Sequence, residues 1–514
     1  MSAEANISRD WPDSTVNVPQ APLDSEKDAA FTGQSQEPED LIVDWEGPGD
    51  PLNPRNWSRR KKWAATITAS AFTFVSPVSS SMIAPGSDQV AHDFGVTNEV
   101  VVALFTSIFI LSYDYQFLGP LSEIFGRNRI IQGANLWYLV WNLACGFAQN
   151  TGELLAFRFL AGIGGSAPLA IGGGVLGDIW SAEERGQAVA IYTLAPLLGP
   201  VVGPICGAYI AQKSNWRWVF WSTTIVTVGV QMLGVLYLRE SYAPFLLEQK
   251  AKRIRKSMDS EKGPVRIVKS KLTTDDRTWK NVIKIALTRP FVLFYYEPIV
   301  QLLAIYMSYL YGLFYLFLTS MPLMFQGTYG QSVGASGLHY LALGIGVSGA
   351  SQIGARLMDY IYRVLKQRYG GVGQPEFRLP SMVPGSILLP IGFLITGWAV
   401  QAKVHWIVAD IGIVFIGAGS ILNFQSIQME VAYIIDAFTT YAASALAAAY
   451  CLRALCGFAF PLFAESMYDK LGYGKGNTVL AVVAIAIGCP APILLWRYGK
   501  QVRMKSRFAK HAVK

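Results

Sequence analysis

Residues 194–209 read LAPLLGPVVGPICGAY. In water each of Pro196, Pro200 and Pro204 would break a helix, because proline lacks a backbone N–H and displaces the carbonyl four residues back. Their spacing is nonetheless helical. Gly199, Gly203 and Gly207 repeat with the same four-residue period, so prolines and glycines each form a stripe along one flank. Glycine stripes let another helix approach closely, and neighbouring helices re-satisfy the carbonyls that proline frees inside a bilayer. The stretch is read as a bent membrane helix. Two uses stay open for it, a surface on which helix bundles rock and ordinary small-residue packing.

The remainder of the chain agrees with a membrane setting. Its residues are 52% apolar and only 15% charged, whereas soluble domains carry about 25% charged residues. Twelve apolar runs of bilayer length lie at approximately 63–87, 99–119, 130–148, 154–177, 188–210, 218–238, 291–320, 336–355, 380–400, 405–427, 440–463 and 477–497. Hydrocarbon demands that every backbone polar group be satisfied internally, and the alternation of a barrel strand is missing from these runs. The fold class read from this pattern is an all-α membrane protein with twelve transmembrane helices.

Basic residues set the expected orientation. With the N-terminus inside, 34 Lys and Arg from Arg55 onward fall on inner segments and five (Lys213, Arg217, Lys403, Lys470, Lys475) on outer ones. Both termini are therefore predicted to be cytoplasmic. This placement explains the net charge of +8 without invoking nucleic acid. The chain divides into an acidic cytoplasmic tail (1–56) predicted to be disordered, a six-helix bundle (57–238), a basic cytoplasmic linker (239–290), a second six-helix bundle (291–498) and a basic tail (499–514). Transporters built from two such halves hold their substrate between them near the bilayer midplane. Weak internal symmetry supports the division, since GPLSEIFGRNR (119–129) and GARLMDYIYR (354–363) both place Gly before an acid before Arg.

These motifs carry a resemblance. GPVVGPICG (199–207) is similar to the fifth-helix antiporter motif of drug:proton antiporters in the major facilitator superfamily, and GPLSEIFGRNR resembles that superfamily's loop motif after helix two. LLAFRFLAGIGG (154–165) resembles its fourth-helix motif, while VDWEGPGDPLNPRNWS (43–58), NWRWVFW (215–221) and RESYAPFLLEQKAKR (239–253) resemble signatures of its fungal twelve-span branch. The resemblance covers residues 43–503. It implies a major facilitator fold of two pseudo-symmetric bundles that exports drugs, toxins or secondary metabolites in exchange for protons at the plasma membrane. It also implies gating roles for Gly119, Glu123, Gly126, Arg127, Gly199, Pro200, Gly203, Pro204 and Gly207, and a proton-coupling role for Arg158. Span two departs from the pattern, reading ILSYDYQFLGP (110–120) with Asp114 where related sequences carry no acid.

Charges inside the spans are costly, at least about 2.5 kcal/mol each on insertion scales. Arg158 shares a face with Gly162, Gly165 and Gly172 and either perturbs a proton site or ties helices together. Arg453 is read as structural. Asp114 follows Ser107 by seven residues and is either a proton carrier or an inert paired acid. On span seven, Glu297, Gln301, Ser308, Tyr311, Tyr315 and Thr319 lie within about 40° of one line, with Leu303, Tyr306 and Leu310 facing away. Such a polar face is expected to line a substrate cavity, or else to bond across helices. Glu297, near the inner mouth, is either functional or simply interfacial. Ser79, Ser80, Ser81, Asn423 and Gln425 are further cavity candidates.

Other chemistries find less support. GIGVSG (344–349) matches a dinucleotide fingerprint but sits in an apolar helix with no strand before it. No Walker A loop is present, and His92, His339, His405 and His511 have no metal-ligand spacing. The expectation is a monomeric transporter working on small molecules and protons in a lipid bilayer, with no metal or cofactor and no enzymatic activity. A proton-coupled importer, for instance of polyamines, and a non-transporting membrane sensor are the alternatives.

Overall fold

A computed structural model describes residues 41–113, 118–181, 183–260, 268–270, 279–371, 373–437 and 442–504. The chain is nearly all helical. Its first half contains α1 (Arg59–Ser81), α2 (Ser87–Phe94), α3 (Glu99–Tyr113), α4 (Leu118–Phe125), α5 (Arg127–Phe147), α6 (Thr151–Ile179), α7 (Arg185–Lys213) and α8 (Arg217–Tyr237). The connection carries α9 (Ala243–Ser260). The second half contains α10 (Trp279–Tyr296), α11 (Pro298–Leu323), α12 (Val333–Leu338), α13 (Tyr340–Arg368), α14 (Met382–Gln401), α15 (Trp406–Ala437), α16 (Ala442–Gly488) and α17 (Pro490–Met504).

Nine spans among the described residues are long and apolar enough to cross a membrane, or ten with α3 and α4 joined across their 43° bend. Two physical causes separate this number from twelve. α5 is less apolar because it carries amides that glue it to α8: Asn135 Nδ2 donates to Gln231 at 2.7 Å, and Asn142 Nδ2 to the Phe220 carbonyl at 3.0 Å. α16 runs through two of the sequence-predicted spans, broken within by Gly472 at φ 74°. The architecture is consistent with twelve crossings.

Packing separates the halves. Buried apolar residues between Ala65 and Leu238 form two clusters, and those from Leu293 to Leu495 form another. α7 bridges them, with Leu197 and Ile205 leaning onto the second core. Its proline-rich stretch forms one uninterrupted helix. The glycine stripe, however, faces α1 of its own bundle. A Cβ at Gly199 would lie 2.4 Å from Pro77 Cβ, at Gly203 2.6 Å from the Val78 carbonyl, and at Gly207 1.8 Å from the Met82 carbonyl. The rocking-surface reading of these glycines is thus corrected to close packing within the first bundle. The flank that meets the other half is Val201 and Ala208, and there the glycines are supplied by the partner helices, Gly344 against Val201 and Gly337 against Ala208.

The N-terminal segment also differs from expectation. Order begins well before Trp57. β1 (Leu41–Val43) pairs in parallel with β2 (Val268–Ser270), Leu41 opposite Val268. Asp50 accepts the backbone N–H groups of Glu46 at 3.0 Å and Leu52 at 2.8 Å, folding the Gly- and Pro-rich stretch into a turn. These bonds hold its carboxyl below the ordinary carboxylate range. Glu46 reaches Lys250 of α9 at 3.0 Å, and Val43 packs against Ala251.

Candidate functional site

The seam between halves is built around α1, α6, α11 and α16. Arg158 of α6 is 1% exposed. Its Nη1 donates to the Ser79 carbonyl at 3.5 Å and its Nη2 to the Ser80 and Thr106 carbonyls at 3.3 and 3.5 Å. The guanidinium lies over Phe109 and Phe220, 5.2 and 5.7 Å from their centroids, and its Nε has no hydrogen-bond partner among the described residues. Arg158 thus ties three helices together through neutral carbonyls.

Across the seam, Ser80 Oγ and the Tyr315 hydroxyl of α11 are 3.3 Å apart. Ser80 donates to the Pro77 carbonyl at 2.8 Å, so its proton is committed and Tyr315 is the donor to Ser80. Tyr315 packs edge-on against Tyr311 at 4.8 Å, and Arg453 lies over Tyr311 at 4.6 Å and Tyr450 at 4.4 Å. A continuous polar and aromatic path therefore joins two buried guanidiniums, one from each half. The path sets flat aromatic faces, hydroxyls and positive charge side by side between the halves.

Away from the termini, which define the linker face, the halves close on each other at the far face. Ser466 of α16 donates to Glu99 of α3 at 2.9 Å, and the Gly334 N–H of α12 donates to Gln212 of α7 at 2.6 Å. Residues 69–461 match the family model described as Major Facilitator Superfamily.

This chain belongs to that superfamily.

Relatives within it include the efflux pump vrtL of Penicillium aethiopicum, 45% identical over 91% of each chain, and the MFS transporter cpaT of Aspergillus oryzae, 42% identical over 92% of this chain and 94% of that one. The major facilitator fold is matched by the xylose transporter XylE from E. coli in a partially occluded inward open conformation, with a TM-score of 0.60 at 15% identity over 85% of this chain and 98% of that one.

The superfamily's loop motif is locked from the linker face. Gly126 adopts φ 95°, and a Cβ there would lie 2.3 Å from Glu240 Oε2, so the position requires glycine twice over. Glu240 accepts the backbone N–H groups of Arg127 at 2.9 Å and Asn128 at 3.2 Å, capping α5 where its dipole is positive. Arg127 pairs with Asp178 of α6 and lies over Tyr242 at 4.8 Å. Glu123 is exposed on α4, and Gly119 faces Ala170 of α6. Sequence reasoning named the motif and the RESYAP stretch separately and missed that Glu240 and Asp178 join them. A carboxylate immediately after span six was the available signal.

The polar face of α11 is real but divided. Glu297 is fully buried at its N-terminus, and Gln301 donates to the Tyr295 carbonyl at 3.1 Å. The eighteen residue steps from Glu297 to Tyr315 span about 27 Å of helix, so these two stand apart from the tyrosine pair. Ser308 bonds its own helix, donating to the Ala304 carbonyl at 2.6 Å. Tyr306, expected to face away, donates to Asn423 of α15 at 3.1 Å, while Ser386 donates to the same oxygen at 3.0 Å. Asn423 is thus engaged inside the second bundle. Asp114 lies outside the described residues.

Proposed function

We propose that this chain is a proton-coupled exporter that moves small organic molecules across the plasma membrane by alternating access, with both termini cytoplasmic. The observation that carries the reading is the seam itself, where Arg158, Ser80, Tyr315, Tyr311 and Arg453 place charge, hydroxyls and aromatic faces between two separately packed bundles. Closure by Ser466–Glu99 and Gly334–Gln212 lies on the face that the distribution of basic residues marks as external. An arrangement sealed at one end and capable of rocking exchanges access between the two sides. The outward direction is taken from relatives named efflux pumps. Coupling follows from linkage, because a proton that binds one orientation more tightly shifts the population toward it. In this reading Arg158 acts in coupling, Tyr311 and Tyr315 form the centre of the binding surface, and Glu297 and Gln301 serve its inner mouth, while Ser308 and Asn423, bonded within the second bundle, are support rather than contacts.

The test is flux in proteoliposomes containing inverted protein. A cargo chosen by resistance profiling should accumulate when the lumen is acidic and discharge the pH difference as it enters. Accumulation driven by the opposite gradient would replace export with import, and absence of flux under either gradient would remove the transport reading.

A further inference from the structure

The hairpin that closes the far face contains a polar node that the seam does not use. His339, directly after α12, is 6% exposed and stacks on Phe325 with centroids 3.5 Å apart and planes within 7°. Trp406 meets the ring edge-on at 5.5 Å. Nδ1 lies 2.7 Å from Asp410 Oδ1 of α15, and Nε2 lies 2.7 Å from Gln331 Oε1 in the turn before α12. A cleft of about 600 Å³ between α13 and α15, walled by aliphatic residues such as Leu341 and Ile411, reaches Gln331, His339 and Asp410.

We propose that His339 and Asp410 form a proton-binding site of the second bundle, reached from the far face by way of Gln331 in the turn before α12, whose occupancy sets how firmly α12 closes the seam. The proposal deepens the proton-coupled reading above and rests on it for the direction of coupling. Imidazole is the side chain that ordinarily changes charge between about pH 5 and 8. Both of its states fit the node. The imidazolium donates to Asp410 and to the Gln331 oxygen. The neutral ring keeps its Nδ1–H on Asp410 and accepts at Nε2 from the Gln331 amide nitrogen, once that amide turns over. A proton therefore leaves without orphaning a buried group. The charged state adds the ion pair with Asp410 and favourable contact with the Phe325 face.

The link to gating is short. His339 follows α12, whose Gly334 N–H is held by Gln212 of the first bundle and whose Gly337 sits against Ala208. Anchoring His339 on α15 fixes the helix that makes these contacts, so a proton arriving from the far side favours closure there. Titratable groups around the node are Asp410 from α15, Tyr329, which feels the charge of Asp410, and His405, whose ring lies tilted against Trp406 with centroids 5.0 Å apart. Among the described residues no lysine or arginine pairs with Asp410.

The experiment uses full-length protein in lipid nanodiscs, without cargo or pH gradient, carrying spin labels at Ser214→Cys and Gly327→Cys. Both sites are exposed, and Gly327 has open space for a side chain. The distance between labels should shorten as pH falls from about 8 to 5. His339→Gln and Asp410→Asn should each flatten that titration or move its midpoint by about one pH unit or more, tenfold in proton activity. Asp410→Asn keeps an oxygen for the Nδ1–H, so it reports even where His339→Gln folds poorly. A titration unchanged in Asp410→Asn and in folded His339→Gln overturns the site. Because no flux is measured, a proton-independent transporter whose gate still follows His339 would retain this site while losing the export reading.

Discussion

Glu240 accepts the Arg127 backbone N–H at 2.9 Å, across 113 residues of chain. One carboxylate at the start of the connection between the halves thereby caps the helix that follows the loop motif, and ties the linker to that motif. Glu240→Ala should lower the stability of the first bundle by about 1–3 kcal/mol, the range for losing a charge-assisted bond and leaving its donors unpaired. Glu240→Gln should recover part of that loss. Thermal unfolding of the purified protein measures both, and equal melting of all three proteins would show that this cap does not hold the linker to the loop motif.

Arg158→Lys keeps the charge but loses the planar fork that reaches carbonyls on α1 and α3. Transport is expected to fall at least about tenfold, a loss of about 1.4 kcal/mol, with membrane insertion retained. Undiminished transport at normal surface abundance would take Arg158 out of the mechanism.

Tyr315→Phe deletes the hydroxyl donated to Ser80. A neutral hydrogen bond contributes about 0.5–1.5 kcal/mol, so the population with a closed seam should shift about two- to tenfold. Accessibility labelling from the far side reads that population, and no change would place this contact outside the conformational cycle.

Gly203→Leu should prevent the first bundle from packing, because even a Cβ would overlap the Val78 carbonyl, whereas Gly349→Leu faces open space and should fold normally. Yields of detergent-stable protein compare the two, and a well-folded Gly203→Leu would contradict the close approach of α7 and α1.

Asp50 contributes to docking of the N-terminal segment in a pH-dependent way. Its folded-state pKa is lowered, chiefly by the Glu46 N–H and then by that of Leu52. The stabilisation is present above the unfolded carboxylate value of about 4 and disappears as pH falls through the lower folded value. Hydrogen exchange of residues 41–58 should accordingly stay slow down to about pH 4 in the native chain, and be faster at neutral pH in Asp50→Asn. Equal protection in both proteins would remove Asp50 from the dock.

Much of the fold was legible because hydrocarbon imposes a length and an apolarity that composition alone displays. Where the structure describes them, the twelve runs fall on largely helical chain, and Arg158 and Tyr315 were named as candidates before their contact across α1 was visible. What periodicity leaves undetermined is the neighbour a stripe meets. Gly199, Gly203 and Gly207 announced a close approach without saying that α1 was the partner. Likewise the polar face of α11 mixes Tyr315 at the seam with Ser308, whose hydroxyl is spent on its own backbone. Glu240 and Asp178 were missed because their roles depend on contacts over 50 or more residues.

Alternating access itself is tested most directly by fastening the far face. The pair Gln212→Cys and Gly334→Cys replaces a 2.6 Å hydrogen bond between halves with a bridge that oxidation closes. In proteoliposomes the account predicts that oxidation stops cargo flux and that a reductant restores it, while either single variant transports in both conditions. Continued flux through protein shown to be fully crosslinked would contradict it.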